Sequence, residues 1–159
     1  MKNGVAAIRE AKLVDYDKCL PLLTLLYHGD IGPGFRSCFE EYVKSENSVV
    51  LIFESSNLVR GVLVGSYCLD MDWEGKTARI DALVVDDKYR RTGIGSKLVN
   101  HFAELAKKTN CKAVKSRVNK KNRDAQAFHE RFSFKRADTH EYVLDFEKQQ
   151  VEGLCSIRS

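Results

Sequence analysis

Residues 86–98 read D-D-K-Y-R-R-T-G-I-G-S-K-L, and this stretch decides the fold of the chain. An apolar and β-branched run at 77–85 precedes it, and apolar residues recur at helical spacing over 94–106. The pattern predicts a strand, a tight loop that contains Gly93 and Gly95, and a long helix. Glycines allow close backbone approach, and the first-turn N–H groups of a helix lack intrahelical acceptors. The junction therefore predicts a site for a pyrophosphate group.

Three phosphate-binding motifs contain glycines at comparable spacing, and two of them do not match. A Walker A loop requires G-x-x-x-x-G-K-[ST], which the glycine spacing here does not give. A dinucleotide fingerprint requires a third glycine where this chain has Leu98, and it follows the first strand of its domain. The third pattern, [R/Q]-x-x-G-x-[G/A], matches residues 90–95. The remaining alternative is an ordinary glycine-initiated helix beside two solvated arginines.

The rest of the chain predicts a single α/β domain over residues 1–147, followed by a polar tail at 148–159 whose composition allows disorder. The first half predicts helices and then an antiparallel meander, and the strand–helix–strand order around the glycine loop favours one parallel pair. Asp15 or Asp17 could cap the first helix, with Pro21 in its first turn. The predicted helices cover 19–27, 35–44, 94–108 and 125–132, and the predicted strands cover 5–10, 48–54, 58–69, 77–85, 112–118, 134–136 and 142–146.

Composition excludes several classes of protein. The 159 residues are 43% hydrophobic and 30% charged, which suits one packed core with a solvated surface. The chain has no run of about 18 apolar residues, so no membrane span is predicted. The N-terminus lacks the apolar segment of a secretory signal. The five cysteines are scattered without a C-x-x-C pair, so neither a disulfide framework nor a metal site is predicted. A reducing cytoplasm is the expected setting.

Positive charge is concentrated in the second half of the chain. Residues 88–136 contain 15 basic and 3 acidic side chains, a net charge of +12, whereas residues 1–80 have a net charge of −2. This asymmetry suggests an anionic partner, which could be nucleic acid, an anionic membrane or a phosphate-rich small molecule, although a solvated basic face is the simpler alternative. An RNP-like or helix-turn-helix pattern is missing, which weighs against nucleic acid.

Two segments carry a family resemblance. Residues 80–98, I-D-A-L-V-V-D-D-K-Y-R-R-T-G-I-G-S-K-L, and residues 122–134, N-R-D-A-Q-A-F-H-E-R-F-S-F, are similar to two motifs of the GNAT superfamily of N-acetyltransferases. The resemblance extends over about residues 48–146. It implies a mixed, mostly antiparallel sheet with a central β-α-β unit flanked by helices. It also implies direct transfer of the acetyl group of acetyl-CoA to a primary amine on a small molecule or a protein. A polyanionic cofactor would explain where the basic stretch lies.

The resemblance assigns cofactor contacts to particular positions. The loop amides would hold the pyrophosphate, Arg90 would support the loop, and the end of the preceding strand would pair with the pantetheine arm. Lys120, Lys121, Arg123 or Arg131 could meet the ribose phosphate, and the sequence does not choose among them. The predicted cofactor-binding residues are Leu83, Val84, Val85, Arg90, Arg91, Thr92, Gly93, Ile94, Gly95, Ser96, Asn122 and Phe128.

Asp81 is the predicted catalytic base. An alkylammonium has a pKa of about 10.4, so losing its proton near neutral pH costs about 4 kcal/mol. The family commonly places a glutamate at this position, and the shorter aspartate favours a bridging water. Asp81 could instead pair with Arg79 on the sheet. The carboxylates of the preceding hairpin, Asp70, Asp72 and Glu74, are alternative bases or solvated charges.

His129 is the predicted acid for the departing thiolate, at a position where the family commonly has tyrosine. An imidazole can donate a proton, but His129 could also be a neutral packing residue, with Tyr142 or Tyr67 as a substitute acid. Ser133 replaces the usual glycine, which is unfavourable if that position needs a positive φ. Because His129 replaces the tyrosine that is common in the family, an alternative function is a non-catalytic acyl-CoA-binding or regulatory module. Neither a nucleic-acid nor a membrane partner is predicted, and a homodimer is allowed.

Overall fold

A computed structural model of the chain describes residues 6–146. The described residues belong to two compact units, one ending at Asn122 and the other beginning at Arg123. The predicted tail at 148–159 lies outside the described residues. In chain order the elements are β1 (Ala7–Glu10), α1 (Tyr16–Leu26), α2 (Phe35–Lys44), β2 (Ser48–Ser55), β3 (Leu58–Asp70), β4 (Gly75–Val85), α3 (Ile94–Lys108), β5 (Val114–Ser116) and α4 (Arg123–Arg131).

The first unit is built on a mixed sheet in the order β1-β2-β3-β4-β5. The β1–β2, β2–β3 and β3–β4 pairs are antiparallel, and β4 and β5 are parallel. The hairpin between β2 and β3 turns at Ser56 and Asn57, which have φ values of 51° and 61°. Two successive positive φ values match the twist of a two-residue hairpin. The predicted mixed, mostly antiparallel sheet with one β-α-β unit is confirmed.

Helices cover both faces of this sheet. Val62 and Val64 on β3 belong to the core that contains Leu23 of α1 and Phe39 of α2. The alternate positions of β3 face α3, because a Cβ built on Gly65 would lie 2.3 Å from the Phe102 ring. The sheet therefore separates an α1–α2 layer from an α3 layer. Among the described residues, no helix is both long and apolar enough to cross a membrane.

A β-bulge interrupts β4 at the centre of the sheet. Val64 pairs with Ala82, and the next residue of β3, Gly65, pairs with Ile80. Asp81 is therefore an extra residue without a partner on β3. A bulge bends the strand and redirects its side chains, so that Asp81 and its neighbour Ala82 both line the α1–α2 side.

The start of α1 differs from the prediction. The helix begins at Tyr16, so Pro21 is its sixth residue and lies beyond the first turn. Proline has no N–H to donate to the carbonyl of Asp17, four residues earlier. Pro21 and Asp17 are both exposed, so water can donate a hydrogen bond to that carbonyl instead. Asp15 occupies the N-cap position but its side chain makes no cap hydrogen bond. Its carboxylate instead accepts hydrogen bonds from Arg9 and from the Lys12 backbone N–H.

The strands predicted late in the chain are short or absent. β5 spans three residues, Val114–Ser116, rather than 112–118. Residues 134–136 and 142–146 form no strand, and the side chains of Tyr142 and Phe146 are 91% and 77% exposed. Local β propensity is therefore insufficient here, because a strand needs a paired neighbour and a covered face.

Candidate active site

The loop between β4 and α3 is built around Asp86 and Tyr89. The Asp86 carboxylate accepts a hydrogen bond from Lys88 N–H, and its backbone N–H donates to Arg60 O at 2.9 Å. The Thr92 hydroxyl donates to Tyr89 O at 2.5 Å. These bonds hold both ends of the turn Asp87–Tyr89, and they connect it to β3.

The backbone of the loop has two left-handed residues. Arg91 has a φ of 61° and Gly93 a φ of 88°. The first bond of α3 runs from Lys97 N–H to Gly93 O at 3.0 Å, and no side chain caps the helix. The N–H groups of the first turn thus lack intrahelical acceptors. The space beside Gly93 is also open, because a Cβ at this residue would have no other atom within 4 Å. These donors belong to the residues 91–96, for which a pyrophosphate-binding role stays a prediction.

Arg90 is tied to the same loop. Its Nη2 lies 2.7 Å from Asp87 Oδ1, and both side chains are more than half exposed. An exposed pair of this kind contributes about 0–1 kcal/mol to stability. The charge of Arg90 is thus matched by Asp87 beside the loop, and its role at a cofactor site stays a prediction.

The end of β4 has one paired edge. Leu83, Val84 and Val85 pair with Leu63, Val62 and Gly61 of β3. On the other side, β5 pairs with Ala78, Arg79 and Ile80 of β4 and, in the part of the chain that the structure describes, pairs with no residue beyond them. Backbone groups at the end of β4 are thus available to an extended ligand, as in strand addition.

Asp81 lies on the bulge with both carboxylate oxygens engaged. Oδ1 accepts a 2.5 Å hydrogen bond from Arg79 Nε, and Oδ2 accepts a 3.2 Å hydrogen bond from the Tyr42 hydroxyl. The side chain of Asp81 is 12% exposed. The pairing with Arg79, which the sequence left as an alternative, is present. Each carboxylate oxygen has further lone-pair capacity, so these bonds leave room for a water or an ammonium group.

A cavity of about 60 Å³ lies beside Asp81, between α1, α2 and the sheet. The rings of Tyr27, Phe35, Phe39 and Tyr42 line it. Burial raises the pKa of the Tyr42 phenol, and the charge of Asp81 raises it further, so this hydroxyl remains a donor. Tyr42 lines the cavity from α2 together with Phe35 and Phe39, but the periodicity of a helix alone cannot identify a partner on another element.

One alternative base, Asp70, and one alternative acid, Tyr67, have structural partners of their own. Asp70 pairs with Lys115, and the hydrogen bond from Lys115 holds the pKa of that carboxyl below its usual range. Tyr67 lies with its ring centroid 5.8 Å from that of Phe102, and burial raises its pKa. Both residues therefore have structural roles that do not depend on a ligand.

The second unit contains Phe128 and His129 on α4. His129 Nδ1 lies 2.7 Å from Ala125 O. Because a carbonyl can only accept, Nδ1 is the protonated nitrogen, and a neutral ring has no proton on Nε2. Proton donation from Nε2 therefore requires the imidazolium. The Phe134 and Phe128 rings lie 5.1 and 5.5 Å from His129, centroid to centroid.

Two other predicted positions have defined backbone roles. Asn122 N–H donates to Asn119 O at 2.9 Å in the first unit. Ser133, in the second unit, has a φ of 64°. This is the positive φ for which glycine is the usual residue, so serine here costs roughly 1 kcal/mol.

The chain was compared with known proteins. The sequence model of the Acetyltransferase (GNAT) family matches residues 16–134. No curated protein matches at a significant level. Solved structures match over nearly the whole fold. A transcriptional regulator from Bacillus halodurans C-125 is 24% identical with a TM-score of 0.79, covering 89% of this chain and 100% of that one.

Two solved acetyltransferases have a similar fold. An aminoglycoside antibiotic 6'-N-acetyltransferase from Acinetobacter baumannii is 19% identical with a TM-score of 0.79, covering 89% of this chain and 98% of that one. A ribosomal-protein-alanine N-acetyltransferase from Brucella melitensis biovar Abortus 2308 is 18% identical with a TM-score of 0.74, covering 89% and 99%. The resemblance found in the two sequence motifs is thus confirmed, and the chain belongs to the Acetyltransferase (GNAT) family.

Proposed function

We propose that this protein is an N-acetyltransferase that moves the acetyl group of acetyl-CoA directly to a primary amine. The observation that carries the proposal is the end of β4. Its pairing with β5 stops at Ile80, and the glycine loop and uncapped start of α3 follow within the same β-α-β unit. A half-paired strand edge next to a cluster of N–H donors fits an extended amide-bearing arm that ends in a pyrophosphate.

The residues of the first unit fit the cofactor that the family implies. The N–H groups from Arg91 to Ser96 would bind the pyrophosphate, and the backbone of Leu83–Val85 would bind the pantetheine arm. When bound, acetyl-CoA supplies an activated acyl group on a thiol of good leaving ability. The N–H groups at the end of β4 would orient and polarise its carbonyl. Asn122 and Phe128 are proposed as further contacts.

The proposed proton acceptor is Asp81. An ammonium group must lose its proton before it attacks, which costs about 4 kcal/mol near neutral pH. Tyr42 and Arg79 hold the Asp81 carboxylate in place from two sides. A water hydrogen-bonded to Asp81 can pass the proton to it. For the departing thiolate we propose the His129 imidazolium, with Nδ1 fixed by Ala125 O.

The acceptor could be a small-molecule or a protein amine. Among proteins of similar fold, one acetylates aminoglycosides and one acetylates ribosomal-protein alanine. Residues 1–147 are proposed to act as one domain in the cytoplasm, without nucleic-acid or membrane partners and with a homodimer allowed.

Free-thiol release tests the proposal. The purified protein is incubated with acetyl-CoA and a panel of amines, and we expect amine-dependent release of coenzyme A. Asp81→Asn should lower kcat by about 100-fold or more, in the range of general-base contributions, while coenzyme A binding is retained. Gly93→Trp should abolish coenzyme A binding. Absence of turnover with every amine, despite tight coenzyme A binding, would contradict the proposal.

A non-catalytic acyl-CoA-binding or regulatory module is the second candidate. Two observations favour it, the histidine at position 129 and the similarity of the fold to a solved transcriptional regulator. The variant His129→Tyr discriminates between the two. Wild-type turnover comparable to that of the variant supports an enzyme, and turnover that appears only in the variant supports the module.

A further inference from the structure

We propose that the cavity beside Asp81 selects primary amines that carry one positive charge on an apolar chain, and that it discriminates against polyamines and aminoglycosides. The inference rests on the proposed function and adds a substrate class to it. Three properties of the cavity carry it: the composition of its wall, its size, and the charge balance of the elements around it.

The cavity wall is aromatic and aliphatic apart from one carboxylate. Asp81 is the only acidic residue among the described residues that line it. The rings of Tyr27 and Phe35 meet edge to face with their centroids 5.6 Å apart. Aromatic faces of this kind bind methylene groups and an alkylammonium together, because the ring quadrupole attracts the cation. One carboxylate among several rings provides for one ammonium group.

The cavity is narrow. Its volume of about 60 Å³ has room for a head group of a few heavy atoms. An aminomethyl head group fits such a space, whereas a sugar ring that bears several amines does not. The amine of an unbranched chain can therefore reach Asp81 while the remainder of the acceptor stays at the cavity mouth.

The charges of α2 lie outside the cavity lining and balance one another. The carboxylates Glu40 and Glu41 are matched in number by Arg36 and Lys44, and Glu40 lies 3.4 Å from Arg36 and 3.7 Å from Lys44. Asp81 already pairs with Arg79, and its remaining lone pairs can accept from one ammonium group. A second ammonium group inside the cavity would find no further carboxylate among the described lining residues, and its desolvation would be uncompensated.

Amine selectivity tests the inference. We expect kcat/KM for hexylamine and 2-phenylethylamine to exceed that for spermidine and sisomicin by at least about tenfold. Isothermal titration of the same amines in the presence of coenzyme A measures selectivity without turnover. A protein that binds the monoamines preferentially but acetylates none of them contradicts the proposed function and supports the selectivity. Spermidine or sisomicin bound or acetylated as well as the monoamines overturns the inference.

Cys38 offers a matched set of variants. It lines the cavity and its residue is exposed, so substitution should be tolerated. Cys38→Asp adds a second carboxylate, and Cys38→Ser replaces the thiol with a hydroxyl group of similar size and adds no charge. The preference for hexane-1,6-diamine over hexylamine should be about tenfold higher in the Asp variant than in the Ser variant. Equal preference in Cys38→Asp and Cys38→Ser would overturn the inference.

Discussion

The guanidinium of Arg60 lies over the ring of Tyr89, with its Cζ 4.3 Å from the ring centroid. The same guanidinium donates from Nη1 to Asp86 Oδ2 at 3.0 Å, and its Nε is buried without a hydrogen-bond partner in the described part of the chain. An arginine on β3 thus clamps two residues of the loop that leads to α3. A buried donor without a partner costs stability, which suggests that the clamp serves the position of the loop.

Arg60→Met should therefore weaken cofactor binding more than it weakens the fold. Losing the cation–π contact and the charged hydrogen bond removes about 1–3 kcal/mol of the free energy that holds the loop in place. We expect this loss to lower the affinity for the cofactor roughly tenfold or more. We expect the KM for acetyl-CoA to rise while kcat changes little, with Arg60→Lys restoring part of the affinity. A fall in kcat at unchanged KM, or a loss of unfolding free energy as large as the loss of binding, would show that Arg60 is not a positioning residue for the loop.

Gly93→Ala tests the backbone of the loop rather than its space. A Cβ at Gly93 meets nothing within 4 Å, but the φ of 88° is strained for alanine. The strain of roughly 1–2 kcal/mol should shift the loop and weaken coenzyme A binding about tenfold, measured by titration calorimetry. Gly32→Ala, where the space is also open, is the control and should bind normally. Normal binding in both variants would contradict the assignment of this loop to the pyrophosphate.

Gly65→Ala should be a severe core substitution. The added Cβ would lie 2.3 Å from a ring carbon of Phe102, which is fully buried and cannot move aside. Overpacking of this kind costs about 1–3 kcal/mol. Gly75→Ala is the control, because its nearest contact is the flexible Lys112 side chain at 3.3 Å. Urea unfolding should separate the two variants, and equal stabilities would mean that the contact with α3 is looser than the structure has it.

Acid stability should depend on Asp15. The hydrogen bond from Arg9 holds the pKa of this buried carboxyl below its ordinary value of 3.8. Its stabilising contribution is therefore complete above that value and is lost as pH falls through the lower pKa of the folded state. Asp15→Asn should cost about 2–3 kcal/mol at pH 6 and should flatten the decline of unfolding free energy below about pH 4. The same acid slope in both proteins would show that Asp15 is not the group responsible.

Local patterns predicted much of this fold. The bounds of α2 and α3 agree with the predicted helices at 35–44 and 94–108, because both helices have clear apolar periodicity and each is preceded by a glycine. Asn110 has the positive φ of a helix stop. The motif at residues 90–95 likewise lies at the expected junction, with residues 90–93 in the loop and residues 94 and 95 at the start of α3. These features depend on residues close together in sequence, which a single chain displays directly.

Features that depend on distant partners were missed. The clamp from Arg60 joins residues 26 positions apart, and the Tyr42–Asp81 bond joins residues 39 apart. No local pattern distinguishes these side chains from other arginines and tyrosines. The strands predicted at 134–136 and 142–146 are absent for the same reason. A strand forms only beside a pairing strand, and local β propensity does not reveal whether one is present. The sequence did identify Asp81 as the candidate base, but no local pattern could predict the bulge on which it lies.

The bulge at Asp81 leaves the pairing of β3 and β4 independent of this residue. Ile80 and Ala82 pair with adjacent residues of β3, as two consecutive residues of an unbroken strand would. A chain with residue 81 deleted could therefore form the same ladder, and more regularly. Asp81 is thus a residue that pairing between β3 and β4 does not require. The strand is irregular at this one position, and the irregularity places the Asp81 carboxylate in the wall of the cavity.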